Sequence, residues 1–349
     1  MRYLWNSVLG AVVLAALLVS GCAKDPLYRQ EAFVFGTRVE VLVWGEPVEK
    51  AHVGVTEVLR EFDRLHRMLH SWESSEVTRL NEAIARGDVP IAVSGELAEI
   101  LRHTVSLAAA SDQLFNPAIG KLVKLWGFHS DGFEARRPSD GEIAALVRAN
   151  PRMSDLTIDG NGVSCRNRAV AIDLGGYAKG YALDRAALIL GRQGVRNSLI
   201  NIGGNVLALG KKGDRPWRVG IQHPRAAGAL ASLDLNDGEG IGTSGDYQRY
   251  FEMDGKRFSH LIDPRTGWPA QAVQAVSVLV TPRPRAGALS DAASKPLFVA
   301  GSEAWRALAH GLGVEHALRI DASGAVTLTR AMRSRVEFVP SNLAVEVVE

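Results

Sequence analysis

The 349 residues include only two cysteines, Cys22 and Cys165. Cys22 closes an apolar leader, so Cys165 has no partner left for an intramolecular disulfide, and stability must come from core packing. In Val163-Ser164-Cys165-Arg166 the lone thiol reads as a half-buried strand residue rather than a nucleophile. An excess of one charge is missing too: 40 Lys and Arg stand against 38 Asp and Glu. With no basic cluster either, the electrostatic footprint of a nucleic-acid binder is absent. No internal repeat, low-complexity tract or long linker divides the chain. Its 46% hydrophobic residues suffice for the core of one large domain or two ordinary ones. The common phosphate loops are missing as well. No G-x-G-x-x-G opens a helix, and no G-x-x-x-x-G-K-[ST] surrounds Lys179.

What is present begins at the N-terminus. Arg2 precedes an apolar core, residues 8–19, that is too short to span a membrane comfortably. Leu18-Val19-Ser20-Gly21-Cys22 then resembles a bacterial lipobox, with Cys22 as the lipidated first residue of the mature chain. Residues 1–22 are thus expected to be a lipoprotein signal peptide, 23–30 a tether and 31–349 the folded domain, lipid-anchored and facing the periplasm. Ala23 stands where an Asp would mark inner-membrane retention, so both membranes stay open.

The central signal is Ala171-Ile172-Asp173-Leu174-Gly175-Gly176-Tyr177-Ala178-Lys179-Gly180. It reads as a strand end, an acid, two glycines and a helix start. Glycines let backbone approach a ligand closely, and a helix N-terminus favours anionic groups. A tight strand-to-helix turn with a solvated lysine is the alternative. A second glycine turn, Asn201-Ile202-Gly203-Gly204-Asn205, follows one helix later and favours a site.

Around these, residues 31–44 alternate as a strand interrupted at Gly36-Thr37, and residues 53–69 form an amphipathic helix. His66 and His70 on that helix have the spacing of a metal pair, but no third ligand is near, so they read as solvated or capping histidines. Ser139 and Glu142 make a capping box. Asp159-Gly160 and Asp254-Gly255 are hairpin turns. Strands at 217–222, 230–235 and 247–253 are expected to continue one sheet, and helices are expected at 290–300 and 303–311. Trp126 and Phe128 read as core aromatics. His260, Asp263 and Arg265 fall beside one turn, as an acid/base group with an anion clamp or as a turn with a surface ion pair. Asp291 lies in a small, apolar segment. It needs a partner there, a metal or Lys295, unless it is a helix N-terminal charge.

Phe35-Gly36-Thr37, Ser71-Trp72 with Ser75-Glu76 and Leu80-Asn81, residues 114–128, Asp173 to Asp184, residues 199–205, Trp217 to Arg225 and Ser244 to Gly267 come in one order. In that order and spacing the chain resembles the ApbE-type FAD:protein FMN transferases. The resemblance implies an α/β (α+β) fold of mixed sheets with packed helices in a single domain. It implies an enzyme that takes FAD as substrate with Mg²⁺, moves FMN to a Thr or Ser hydroxyl of an exported acceptor protein, and releases AMP. Flavin contacts would fall on Phe35, Trp72, Asn116, Pro117, Ala118, Asp173, Lys179 and Ile262. The metal would take the Gly176 carbonyl, the Asp291 carboxylate and the Ser294 and Lys295 positions, and His260 would accept the proton. The chain departs from the family pattern where Asn116-Pro117-Ala118 replaces Asp-Pro-Thr, and where Lys295 replaces a Thr ligand. A Lys ammonium cannot ligate Mg²⁺ but can bind phosphate. Two rival readings remain: a Mg²⁺-dependent FAD pyrophosphatase, and a flavin-binding lipoprotein without turnover.

Overall fold

Val39, Val41 and Val43 alternate with less buried neighbours, and that period of two places one face of the strand Thr37–Trp44 fully under cover. The computed structural model describes residues 27–130, 132, 135–339 and 343–349; the expected lipidation site, Cys22, lies outside the described residues. Nine strands form one sheet in the order Leu27–Val34, Thr37–Trp44, Ser198–Ile202, Asn205–Leu209, Gly240–Gly245, Val273–Val280, His316–Asp321, Val326–Thr329 and Val345–Val348. All neighbours run antiparallel except the final pair. The first strand begins at Leu27, so residues 27–30 belong to the sheet and not to the expected tether.

Both faces of this sheet are covered, which is why Val273–Val280 is buried along its whole length. Val276, Val278 and Val280 join the core beneath the helices Val48–Leu69, Ala178–Arg192 and Ala286–Val299. Ala275 and Leu279 join the opposite core, beneath a three-stranded sheet of Trp217–Gln222, Ala229–Leu235 and Val336–Phe338. A bulge between Val273 and Ala275 reverses the alternation and returns Val273 to the helical side. The strands expected at 217–222 and 230–235 therefore build a second layer and do not extend the main sheet. The hairpin Tyr250–Met253/Lys256–Ser259 is separate again and packs its aromatics on Trp126 and Phe128. Mixed sheets with packed helices in one domain is the fold class the sequence implied. Cys165 ends the strand Gly162–Cys165, and burial raises its thiol above the ordinary value, as befits a strand residue rather than a nucleophile.

Two helices are clasped together by reciprocal caps. Neither Ala178–Arg192 nor Ala286–Val299 has a side-chain cap from its own N-cap residue. Instead Asp291 Oδ2 accepts from the Gly180 N–H at 2.9 Å, while the two Asp184 carboxylate oxygens accept from Gly287 N–H at 2.8 Å and Ala288 N–H at 2.9 Å. Each helix thus supplies the carboxylate that the other's N-terminal dipole favours. Glycine at 180 and 287 lets the backbones touch.

Burial raises the Asp184 carboxyl from its ordinary 3.8 to about 6, against the Ala288 and Gly287 N–H groups and Arg285, which pull it down. The folded chain therefore holds this proton over a range where the unfolded chain has lost it. The contribution of Asp184 to stability is greatest below about pH 4, declines as pH rises towards about 6, and is flat above, for a total of roughly 3 kcal/mol. Unfolding free energies of the wild type from urea denaturation are expected to fall by that amount across this window relative to those of Asp184→Asn. Parallel curves would exclude Asp184 as a source of the slope.

Candidate active site

Two hairpin turns meet at one end of the nine-stranded sheet. Val34 pairs with Thr37, leaving Phe35-Gly36 as a two-residue turn with φ of 57° and 66°. Such a turn favours Asn-Gly, and a phenylalanine at its first position is strained. That ring lies 5.6 Å from His66 and 6.2 Å from Phe62. The neighbouring turn is Gly203-Gly204, and a Cβ on Gly203 would stand 2.6 Å from Thr37 Oγ1. A row of rings, Phe35, His66, His70 and Trp72, continues from the first turn with 4.9 Å between His66 and His70 and 4.9 Å between His70 and Trp72. His70 Nδ1 accepts from the Glu73 N–H at 3.0 Å, so it caps the chain beyond its helix, as one sequence reading had it.

The same sheet end receives the Asp173 loop. The Asn81 amide holds Ile172 from both sides, accepting its N–H at 2.6 Å and donating to its carbonyl at 2.9 Å. Residues 116–120 are zipped to this segment: Asp173 N–H donates to Pro117 O at 2.8 Å, Ala171 N–H to Ala118 O at 3.1 Å, and Gly120 N–H to Ala171 O at 2.8 Å. Asn116 spends its amide on Pro151 O and on the Ala118 N–H. Burial raises the Asp173 carboxyl, against the Gly175 N–H, Arg249 and Lys179, which lower it.

These parts enclose a cleft of about 700 Å³, within the size range of small-molecule and cofactor sites. Phe35, Trp72, Phe115 and Phe128 contribute rings to its lining, and Lys179, Arg249 and Lys295 contribute cations. Asn116, Pro117, Asp173, Gly176, His260, Ile262 and Asp291 line it too. Ala118 does not: its side chain is wholly buried in the helical core and only its backbone shapes the loop. Ser294 is also fully buried behind the cleft wall. Asp263 and Arg265 pair with each other at 2.7 Å within their own turn and leave the cleft to His260. The expected clamp at Arg265 is thereby replaced by Arg249, whose Nη2 is held by the Ser130 carbonyl at 2.7 Å. The turn at Asp254-Gly255 already fixes a register in which residue 249 faces residue 260, and that was the signal for Arg249.

His260 is the most perturbed base here. Burial, then Lys179 and Arg249, push its imidazole down to about 3. Its Nδ1 lies 3.2 Å from the Arg249 carbonyl, which only accepts, so Nδ1 carries the proton and Nε2 keeps its lone pair.

The donor set for a divalent cation does not fit. Asp291 Oδ1 and the Asp291 carbonyl both accept from Lys295 Nζ, and Oδ2 accepts from Gly180. Ser294 Oγ is turned to the Asp291 carbonyl at 2.7 Å and to Ser244 Oγ at 2.6 Å. At Gly176 a Cβ would stand 3.3 Å from Lys295 Cε. An ammonium, which has no lone pair to offer a metal, lies among the oxygens implied as ligands. Among the described residues no group of three or more His, Cys, Asp or Glu is placed to hold an ion.

The fold is mixed α+β, with a cleft at one sheet end lined by aromatic rings and by the cations Lys179, Arg249 and Lys295. The ApbE family profile matches residues 35–318, and the chain belongs to that family. It is 42% identical over 335 residues to the FAD:protein FMN transferase of Rhodobacter capsulatus, covering 95% of this chain and 63% of that protein's length. It is 35% identical over 300 residues to an FAD:protein FMN transferase of Klebsiella pneumoniae, covering 84% of this chain and 85% of that one. Among solved structures, the ApbE protein of Thermotoga maritima superposes with a TM-score of 0.80 at 29% identity, over 88% of this chain and 99% of that one. The apo flavinyl transferase ApbE of Pseudomonas stutzeri gives 0.74 at 30%, over 89% and 97%.

Proposed function

We propose that this chain is an FAD:protein FMN transferase, anchored through a lipid on Cys22 and acting on an exported acceptor. The observation that carries the reading is the cleft, where rings suited to an isoalloxazine and cations suited to a diphosphate converge on a neutral histidine. Phe35 and Trp72, which line the cleft, pack on the flavin in this reading, with Asp173 and the loop at Asn116 and Pro117 beside it. Lys179, Arg249 and Lys295 face the diphosphate.

The acceptor's Thr or Ser hydroxyl oxygen bonds to the phosphorus on the FMN side. The bond from that phosphorus to the bridging oxygen breaks, and AMP leaves with the electron pair. The hydroxyl proton passes to His260 Nε2. An imidazole held near 3 is a weak base; burial is the main cause, and a bound diphosphate offsets only the smaller part due to Lys179 and Arg249. Because His260 is neutral in the free protein, kcat/KM is expected to lack an acid limb near the ordinary histidine value of 6.5.

The test incubates the full-length chain in detergent with FAD and an acceptor bearing an exposed Thr or Ser segment, following in-gel flavin fluorescence and AMP together. A fluorescent acceptor and stoichiometric AMP are expected, both falling about 10²-fold or more in His260→Ala. AMP without a labelled acceptor would replace the reading with an FAD pyrophosphatase. Tight FAD binding with neither product would replace it with a flavin carrier.

A further inference from the structure

We propose that the Lys295 ammonium stands where the resemblance puts a divalent cation, so that this cleft binds the diphosphate of a flavin dinucleotide without metal. The inference rests on the flavin reading above and narrows it to how the charge of the diphosphate is met.

The Asp291 carboxylate is completely buried, and a buried charge needs a partner. Lys295 follows four residues later on the same helix, hence on the same face. Its Nζ donates to the Asp291 carbonyl at 2.7 Å and to the Asp291 carboxylate. That uses two of the three N–H donors of an ammonium, and the third remains for a ligand in the cleft that Lys295 lines. The counter-ion is thus tethered to its carboxylate and supplied by the chain itself, independent of solution metal. A divalent ion entering here would have to displace the ammonium from its own carboxylate and then sit beside a like charge. Of the other implied oxygens, Ser294 Oγ is committed to Asp291 O and Ser244 and is fully buried. With Asp291 neutralised by Lys295, the cleft lining still carries Lys179 and Arg249 against one other carboxylate, Asp173, which leaves a net positive balance opposite a dianionic diphosphate.

The measurement is equilibrium binding of FAD and, in parallel, riboflavin to the full-length chain in detergent, by flavin fluorescence, with either excess EDTA or Mg²⁺. FAD affinity is expected to be the same in both within about twofold. Lys295→Met is expected to weaken FAD by about 10- to 100-fold, the loss of one charge-assisted hydrogen bond, while riboflavin, which has no phosphate, is unaffected. Lys295→Met strands a buried carboxylate and risks misfolding. The double variant Asp291→Asn with Lys295→Met removes both charges and carries the same comparison. Lys295→Thr, which restores an oxygen donor, is expected to bind FAD in a Mg²⁺-dependent way. Wild-type FAD binding that is lost in EDTA while riboflavin binding persists overturns this proposal alone, as does FAD binding unchanged in both Lys295→Met and the double variant. Failure of the wild type to bind either flavin overturns the flavin reading with it.

Discussion

Gly180→Ala is expected to lose most of its folded population. In an exposed helix interior the same change favours folding by about 1 kcal/mol, so the sign itself is diagnostic. A Cβ at residue 180 would stand 2.3 Å from the Gly287 carbonyl oxygen, 2.6 Å from Asp291 Cβ and 2.8 Å from Ala288 Cα. None of these is the end of a flexible side chain, and the only relief is to part the helices. Parting them breaks the caps from Asp291 and Asp184 together, leaving two carboxylates and three N–H groups short of partners. Overpacking and lost buried hydrogen bonds sum to several kcal/mol. Gly191→Ala lies in the same helix with nothing within 4 Å of its added Cβ, and it is expected to stabilise slightly. Urea denaturation of the two variants checks this. If Gly180→Ala melts with Gly191→Ala, the helices do not touch as described.

The second large effect is at Asp291. Asp291→Asn keeps an oxygen for the Gly180 N–H but takes the negative partner from a buried ammonium. Burial would by itself raise the Asp291 carboxyl, and Lys295 and Lys179 outweigh it, so the group is ionised in the folded chain and its charge matters. Removing one member of a buried pair costs roughly 3–5 kcal/mol, whereas removing both is often neutral. Adding Lys295→Met to Asp291→Asn is therefore expected to return most of the stability. Chemical denaturation of the two single variants and the double forms a cycle that measures the coupling. Additive losses would mean that the pair is not a pair.

Much of the architecture was legible because local chemistry and global packing agree. Val39, Val41 and Val43 alternate, Asp254-Gly255 closes its hairpin with Met253 opposite Lys256, and Ser139 with Glu142 caps its helix as read. The strand Gly240–Gly245 was not legible. Gly-Ile-Gly-Thr-Ser-Gly has poor strand propensity, and its glycines answer to a distant helix, since a Cβ on Gly242 would meet Ser290 O at 2.4 Å. Within the site, Asp173, Lys179, His260 and Asp291 stand out as polar residues in apolar or glycine-rich stretches. Ser294 and Ala118 share those stretches, yet helix and loop geometry turns their side chains into the core. Sequence order shows that a segment belongs to a site. It does not show which of its side chains face inward.

The clasp between the two helices also decides which wall of the cleft gives way. Lys179 belongs to one clasped helix, and Asp291 with Lys295 to the other, so that jaw is rigid. Arg249 and His260 hang at the open end of a two-stranded hairpin outside the main sheet. Its few ladder bonds make it the lower-stability unit of the pair. Amide hydrogen exchange is therefore expected to be faster in this hairpin than in the two clasped helices, so that the wall carrying Arg249 and His260 opens before the one carrying Lys179 and Lys295.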